Sequence, residues 1–211
     1  AFTPRLGVVY QPIPEVSVYA SYSRSFTPNA GVTTDGDFLE PEEGEGYEIG
    51  VKSELLKNRL FATLAYYDIT KKNIASPDPR FPNLAGISVA TGKQRSRGIE
   101  LDLTGKISPG WNVIASYSYT DAEVTEDNVT PIGNKLVGTP EHSASLWTTY
   151  TIQQGDLEGL GLGIGFNYVG NRKGDLANTF DLGSYFLTNA AVFYKKDNWR
   201  AALNFKNIFD V

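Results

Sequence analysis

The single histidine of this chain, His142, stands beside Ser143, and a histidine next to a serine is where a nucleophile and its general base would first be sought. Neighbours along an extended strand point to opposite faces, so the two cannot readily meet, and the pair reads as two strand residues. A second grouping is acidic. Asp35, Asp37, Glu40, Glu42, Glu43 and Glu45 offer the oxygen ligands that calcium takes, yet they lack the spacing of a calcium loop, and a solvated loop accounts for the same charges. Asn128-Val129-Thr130 has the form of a glycosylation acceptor, a three-residue pattern that arises often by chance. With no cysteine in 211 residues, the chain has no disulfide scaffold, thiolate metal site or cysteine nucleophile. A formal net charge of -5 and a pI near 5.0 leave no overall basic field for nucleic-acid phosphates. No pattern argues for an enzyme, a resident cofactor, a metal centre or a nucleic-acid partner.

The residues that carry structure do so by alternation. Leu160, Leu162, Ile164, Phe166 and Tyr168 fall on one face of a strand, while Gly159, Gly161, Gly163, Gly165 and Asn167 fall on the other. A soluble core rarely backs large apolar side chains with bare glycines; a lipid-facing wall with a filled lumen behind it explains both faces. Ile99, Leu101 and Leu103 likewise oppose Glu100, Asp102 and Thr104, and Trp199, Ala201, Leu203 and Phe205 oppose Arg200, Ala202, Asn204 and Lys206. A basic side chain on the lipid face at mid-membrane costs about 2 to 4 kcal/mol, so Arg200 and Lys206 select the same register as the apolar residues.

The spacing predicts ten strands, near 4–12, 15–25, 44–55, 59–69, 95–107, 110–121, 141–153, 158–170, 184–195 and 199–209. Tight connectors at Pro12–Glu15, Leu56–Asn58, Ser108–Gly110, Gln154–Asp156 and Lys196–Asn198 alternate with long ones over 26–43, 70–94, 122–140 and 171–183. Short turns on one side and long loops on the other characterise outer-membrane barrels. Tyrosines and tryptophans, including Tyr10, Tyr19, Tyr22, Tyr66, Tyr67, Trp111, Tyr117, Tyr119, Tyr185, Tyr194 and Trp199, gather near strand ends, where interfacial girdles lie. No apolar run approaches the roughly 20 residues of a membrane helix, so spanning would have to be by strands. A chain that starts at Ala1 without any methionine and stops soon after Phe209 is expected to be a piece of a longer protein.

Several segments together resemble the C-terminal barrel of TonB-dependent ferric-siderophore receptors. They are Tyr19-Ala20-Ser21-Tyr22-Ser23-Arg24-Ser25-Phe26-Thr27-Pro28, Leu39-Glu40-Pro41-Glu42, Tyr47-Glu48-Ile49-Gly50-Val51-Lys52, Ala65-Tyr66-Tyr67-Asp68-Ile69-Thr70-Lys71, Gln94-Arg95-Ser96-Arg97-Gly98-Ile99-Glu100, Tyr168-Val169-Gly170-Asn171-Arg172 and Asn204-Phe205-Lys206-Asn207-Ile208-Phe209-Asp210. The resemblance implies an all-β fold, an antiparallel transmembrane β-barrel of about 22 strands of which residues 1–211 supply roughly ten. The plug domain that fills such a barrel, and its final strand, would lie outside this chain.

The implied function is import of ferric siderophore complexes across the outer membrane of a Gram-negative cell by TonB-coupled active transport, without covalent chemistry. Iron is then cargo and no cofactor is needed; the partners are the ferric siderophore, TonB through the plug segment, and outer-membrane lipid. A lumen that contacts a hydrated plug must be polar, so Arg95, Arg97, Glu100, Asp102, Arg200 and Lys206 are expected to face inward, and Gly159, Gly161, Gly163 and Gly165 to let plug backbone approach closely. Phe38, Arg80, Phe81 and Phe180 are candidate ligand contacts, the aromatics for their flat apolar faces and the arginine for an anionic chelate. Three alternatives compete: a plugged receptor for cobalamin, haem or an oligosaccharide; a passive porin-like channel; and a soluble β-sandwich, which would need polar outer strand faces.

Overall fold

The computed structural model describes residues 2–29, 31–81 and 87–210. Ten long strands follow one another in a single antiparallel sheet: β1 (Arg5–Ile13), β2 (Val16–Thr27), β3 (Glu42–Leu55), β4 (Leu60–Pro77), β5 (Ser88–Ser108), β6 (Trp111–Glu126), β7 (His142–Thr151), β8 (Leu160–Val169), β11 (Tyr185–Lys196) and β12 (Trp199–Phe205). A small ribbon of β9 (Arg172–Lys173) and β10 (Asp181–Leu182) sits in the connection between β8 and β11. Each long strand pairs with its sequence neighbour, so the sheet is a continuous meander and, over these residues, an arc of wall that does not close on itself.

Two expectations are corrected. The connector placed over 70–94 is largely strand, because β4 and β5 stay paired out to Pro77 and Ser88 across a bulge near Ile74, with Asn73 at φ 59°. Beyond the apolar belt this hairpin mixes Lys71, Lys72, Asn73, Lys93 and Gln94 with Ile74 and Val89, so the alternation that marks a strand fades although the ladder continues. Gly159 is not a face residue of β8. It lies in the preceding turn at φ +87°, where a Cβ would run into the Lys195 carbonyl oxygen, and only glycine takes this conformation without strain.

The sheet has no interior. Leu162 is 60% exposed, Leu203 66% and Ile49 55%, while the buried apolar residues among those described are few and include Leu39, Ala122 and Val124 near the long connections. A β-sandwich would hide the first set in its core; here they form one continuous apolar face. Register carries that face from strand to strand, as in Val18 to Val51 to Leu64 to Leu101 to Tyr117.

Candidate functional site

On the opposite face, β2, β3 and β5 bring acids together. The Tyr19 hydroxyl donates to Glu48 Oε1 at 2.5 Å, Lys52 Nζ lies 5.0 Å above the Tyr19 ring, and Glu100 and Asp102 are close enough to act on the same phenol. Glu100 and Asp102 form no ion pair among the described residues. Hydroxyls extend the strip through β4 to β7: Tyr67 to Thr120 at 2.9 Å, and Ser116 to Ser145 and Ser118 to Ser143 at 2.8 Å each. Glu48 was not singled out from sequence, although its place between Tyr47 and Ile49 already puts it on the polar side.

The same face is built differently across β7 to β12. Phe193 stands opposite Gly161 and Trp147 opposite Gly165, and their rings fill the volume that side chains would take at Gly161, Gly163 and Gly165. The expectation that a plug backbone approaches these glycines is thereby corrected: neighbouring aromatics already occupy the space. Tyr19 opposite Gly50 repeats the arrangement, with a Cβ at Gly50 falling 2.6 Å from the ring. Arg200 and Asn204 share this face with Phe193 and Ala191, and Lys206 follows one residue past the end of β12.

Arg95 and Arg97 are a further correction. Ile99 pairs with Tyr66 and Arg97 with Asp68, two steps apart on both strands, so the two arginines share the face of Ile99, Leu101 and Leu103 and oppose that of Glu100 and Asp102. They avoid the lipid cost by position along the strand, since they stand beyond the aromatic belt toward the long connections. There Arg95 binds Asp68, Arg97 binds Asp121 at 2.9 Å, Arg24 binds Glu43 at 2.5 Å and Lys72 binds Glu45 at 3.3 Å. Tyr22 and Tyr47 hydroxyls both donate to Glu45, which ties this charged rim to the belt beneath it. The strand half of the acidic run thus disperses into ion pairs, with Glu42 taking Lys71 beside the Glu43 and Glu45 pairs. Among the described residues no group of three or more His, Cys, Asp or Glu is placed to hold a metal.

His142 and Ser143 lie on opposite faces. The imidazole Nδ1 is 2.9 Å from the Tyr117 hydroxyl and its ring tilts against Tyr119 at 5.2 Å, whereas Ser143 joins the hydroxyl strip. Asn128 Nδ2 donates to the Pro77 carbonyl and Thr91 Oγ1, and its backbone N–H donates to Ser76 Oγ, which knits the β6 connection to the β4–β5 hairpin.

Of the candidate ligand contacts, the structure brings Phe38, Arg80 and Phe81 onto two adjoining connections, joined where Val32 bridges both Phe38 and Ile87. The Arg80 guanidinium donates to the buried Asp78 carboxylate at 3.0 and 2.7 Å and lies 5.7 Å over the Phe81 ring, with its own side chain 69% exposed. These hydrogen bonds, reinforced by the Arg80 backbone N–H, hold the Asp78 carboxyl below its ordinary range. Phe180 stands apart. Its ring covers Gly174 within the connection between β8 and β11, and the two residues are tied by the Gly174 N–H to its carbonyl. Sequence did not single out Asp78; an acid two residues before an arginine in a loop was the available signal.

An antiparallel meander with one apolar and one polar face, aromatic belts and a charged outer rim is the wall of an outer-membrane barrel. Comparison with known proteins agrees. Residues 1–208 match the family model described as TonB dependent receptor-like, beta-barrel, and the chain belongs to that family of Gram-negative outer-membrane proteins. It is 41% identical over 212 residues to the metal-pseudopaline receptor CntO of Pseudomonas aeruginosa, covering 100% of this chain and 30% of that protein. It is 41% identical over 216 residues to the ferrichrome outer membrane transporter/phage receptor of Escherichia coli, covering 99% and 28%. Among solved structures, the siderophore receptor PiuA from Acinetobacter baumannii superposes with a TM-score of 0.85 at 30% identity, covering 99% of this chain and 32% of that one. The P. aeruginosa ferripyoverdine receptor FpvA gives 0.84 at 31%, covering 99% and 29%. The chain spans about a third or less of the length of the relatives it matches.

Proposed function

We propose that the protein containing this chain is a plugged outer-membrane receptor that imports ferric siderophores by TonB-coupled active transport, with no covalent chemistry and iron only as cargo. The observation that carries the reading is a match over the whole chain to receptors named for metal chelates. In this reading the polar face lines the lumen, Glu48, Glu100 and Asp102 meet basic groups of a plug supplied from outside these residues, and TonB engages that plug rather than this wall. Phe38, Arg80 and Phe81 form the part of the chelate site contributed here; Phe180, committed to Gly174, contributes less.

Two relatives at 41% identity are named for chemically different chelates, ferrichrome and a metal-pseudopaline complex. The wall is therefore compatible with more than one chelate, and Phe38, Arg80 and Phe81 are this chain's candidates for a share in choosing among them. The test is uptake of radiolabelled iron by cells that lack other siderophore receptors and express the full-length protein, offered ferrichrome, ferrioxamine B, ferripyoverdine and metal-pseudopaline in turn. The reading expects saturable uptake of at least one chelate, abolished when TonB is deleted. Uptake that is unsaturable and indifferent to TonB would instead establish a passive channel.

A further inference from the structure

We infer that the apolar face carries a defined hydrocarbon site, a groove across β7, β8 and β11 that holds one acyl chain of a phospholipid from the periplasmic leaflet. The groove is an open depression of about 420 Å³ on the apolar face. It arises from a step in side-chain size. Ile164 has the short Thr148 and Ala190 as its cross-strand neighbours, whereas Leu162, one level nearer the tight turns, is flanked by Tyr150 and Val192. Gly163 and Ala191 turn their side-chain positions to the opposite face, so their backbone makes the floor. Further from the turns on the same face, two residues beyond Ile164, Phe166 stacks on Phe186 with ring centroids 5.4 Å apart.

The chemistry of the lining fits hydrocarbon. Its main polar side-chain atoms are spent on each other, since Trp111 Nε1 donates to Thr148 Oγ1 at 2.8 Å and that hydroxyl donates to the Asn112 carbonyl at 2.9 Å. Water would find few partners there, and a dry apolar groove takes an apolar guest. The occupant follows from continuity with the lipid-facing wall and from position. The tight turns of an outer-membrane barrel lie at the periplasm, so this half of the face meets the phospholipid leaflet. Trp111 and Tyr150 stand at the open end, as amphipathic rings do at an interface. Lys196, four residues beyond Val192 with the same facing, closes β11 opposite Trp199, where it meets a lipid phosphate.

The inference rests on the membrane location of the family and not on the cargo, so it stands or falls apart from the uptake result. The probe is phosphatidylethanolamine of uniform chain length, added to the full-length receptor in mild detergent and followed by native mass spectrometry. Wild type is expected to keep one phospholipid under activation that strips the rest. Ala190→Phe, which fills the groove, is expected to lower that retention at least about tenfold, equivalent to roughly 1.4 kcal/mol, while Val18→Phe on the far side of the apolar face leaves it unchanged. Should Ala190→Phe fail to reach the folded form, Trp111→Phe opens the rim of the groove and is expected to shorten retention in the same assay. Equal retention in wild type and the groove variants, loss of all lipids together, or a polypeptide in place of the lipid would overturn it.

Discussion

The polar face is built on two plans, and the difference separates what binds from what merely fills. Across β2 to β6 it carries Glu48, Glu100 and Asp102 with a strip of hydroxyls, on strands of up to 21 residues that continue into a charged rim. Across β7 to β12 the strands have 7 to 12 residues, apart from the two-residue ribbon, and over β7, β8 and β11 the Trp147 and Phe193 rings fill the space left by glycines. Burying a carboxylate without a partner is expensive, whereas an aromatic ring on a glycine needs nothing from outside. The first half therefore expects basic partners across the lumen, whereas the second is filled by its own rings except along β12, where Arg200 and Lys206 form no ion pair among the described residues.

The largest effect should come from breaking the self-filled half. Gly165→Leu forces the Trp147 ring off its seat and is expected to destabilise the barrel by roughly 1 to 3 kcal/mol, as overpacking does, read as a lower urea midpoint for loss of the heat-modifiable folded form. The contrasting change, Glu100→Gln with Asp102→Asn, should leave that midpoint nearly unmoved and reduce energised uptake several-fold; a stability loss with normal uptake would reverse the assignment of the two halves. Removing one rung of the hydroxyl strip, Ser118→Ala, is expected to cost about 0.5 to 1.5 kcal/mol in the same titration.

Smaller effects sharpen the boundary with the rim. Arg97 is partly exposed and Asp121 keeps Lys135 as a second partner, so Arg97→Gln should cost under about 1 kcal/mol and lose even that in high salt. A charge lining the lumen would instead alter uptake. Asp78, whose carboxyl is held low, contributes stability that is present above the ordinary aspartate value of about 3.9 and is lost as pH falls through its depressed value. Hydrogen exchange at residues 76–81 should then be unchanged between pH 7 and about 5 once corrected for intrinsic rate, and Asp78→Asn should raise it at every pH.

The fold was legible because period-two alternation and turn residues are local: all ten long strands fall near their expected places. The facing of Arg95 and Arg97 was also written in the sequence, since both sit an even number of residues from Ile99, but their charge outweighed their parity until the ion-paired rim gave them a place outside the lipid. The covered glycines were not legible. Gly161 and Phe193 are 32 residues apart, and only cross-strand register sets one against the other. Asp78 and its pairing with Arg80 escaped for a related reason, because burial of a loop acid depends on which connections pack together. The full length of β4 and β5 was hidden where the alternation breaks down around the bulge at Ile74.

The most direct test places single nitroxide labels at Ile99, Glu100, Leu101, Asp102 and Leu103 of the full-length receptor in lipid bilayers and measures collision with oxygen and with a water-soluble nickel chelate. The account predicts high oxygen accessibility at 99, 101 and 103, and shielding from both reagents at 100 and 102 beneath a plug. Free access of the nickel chelate at 100 and 102 would mean an open aqueous channel, and loss of the alternation altogether would contradict the two-faced wall.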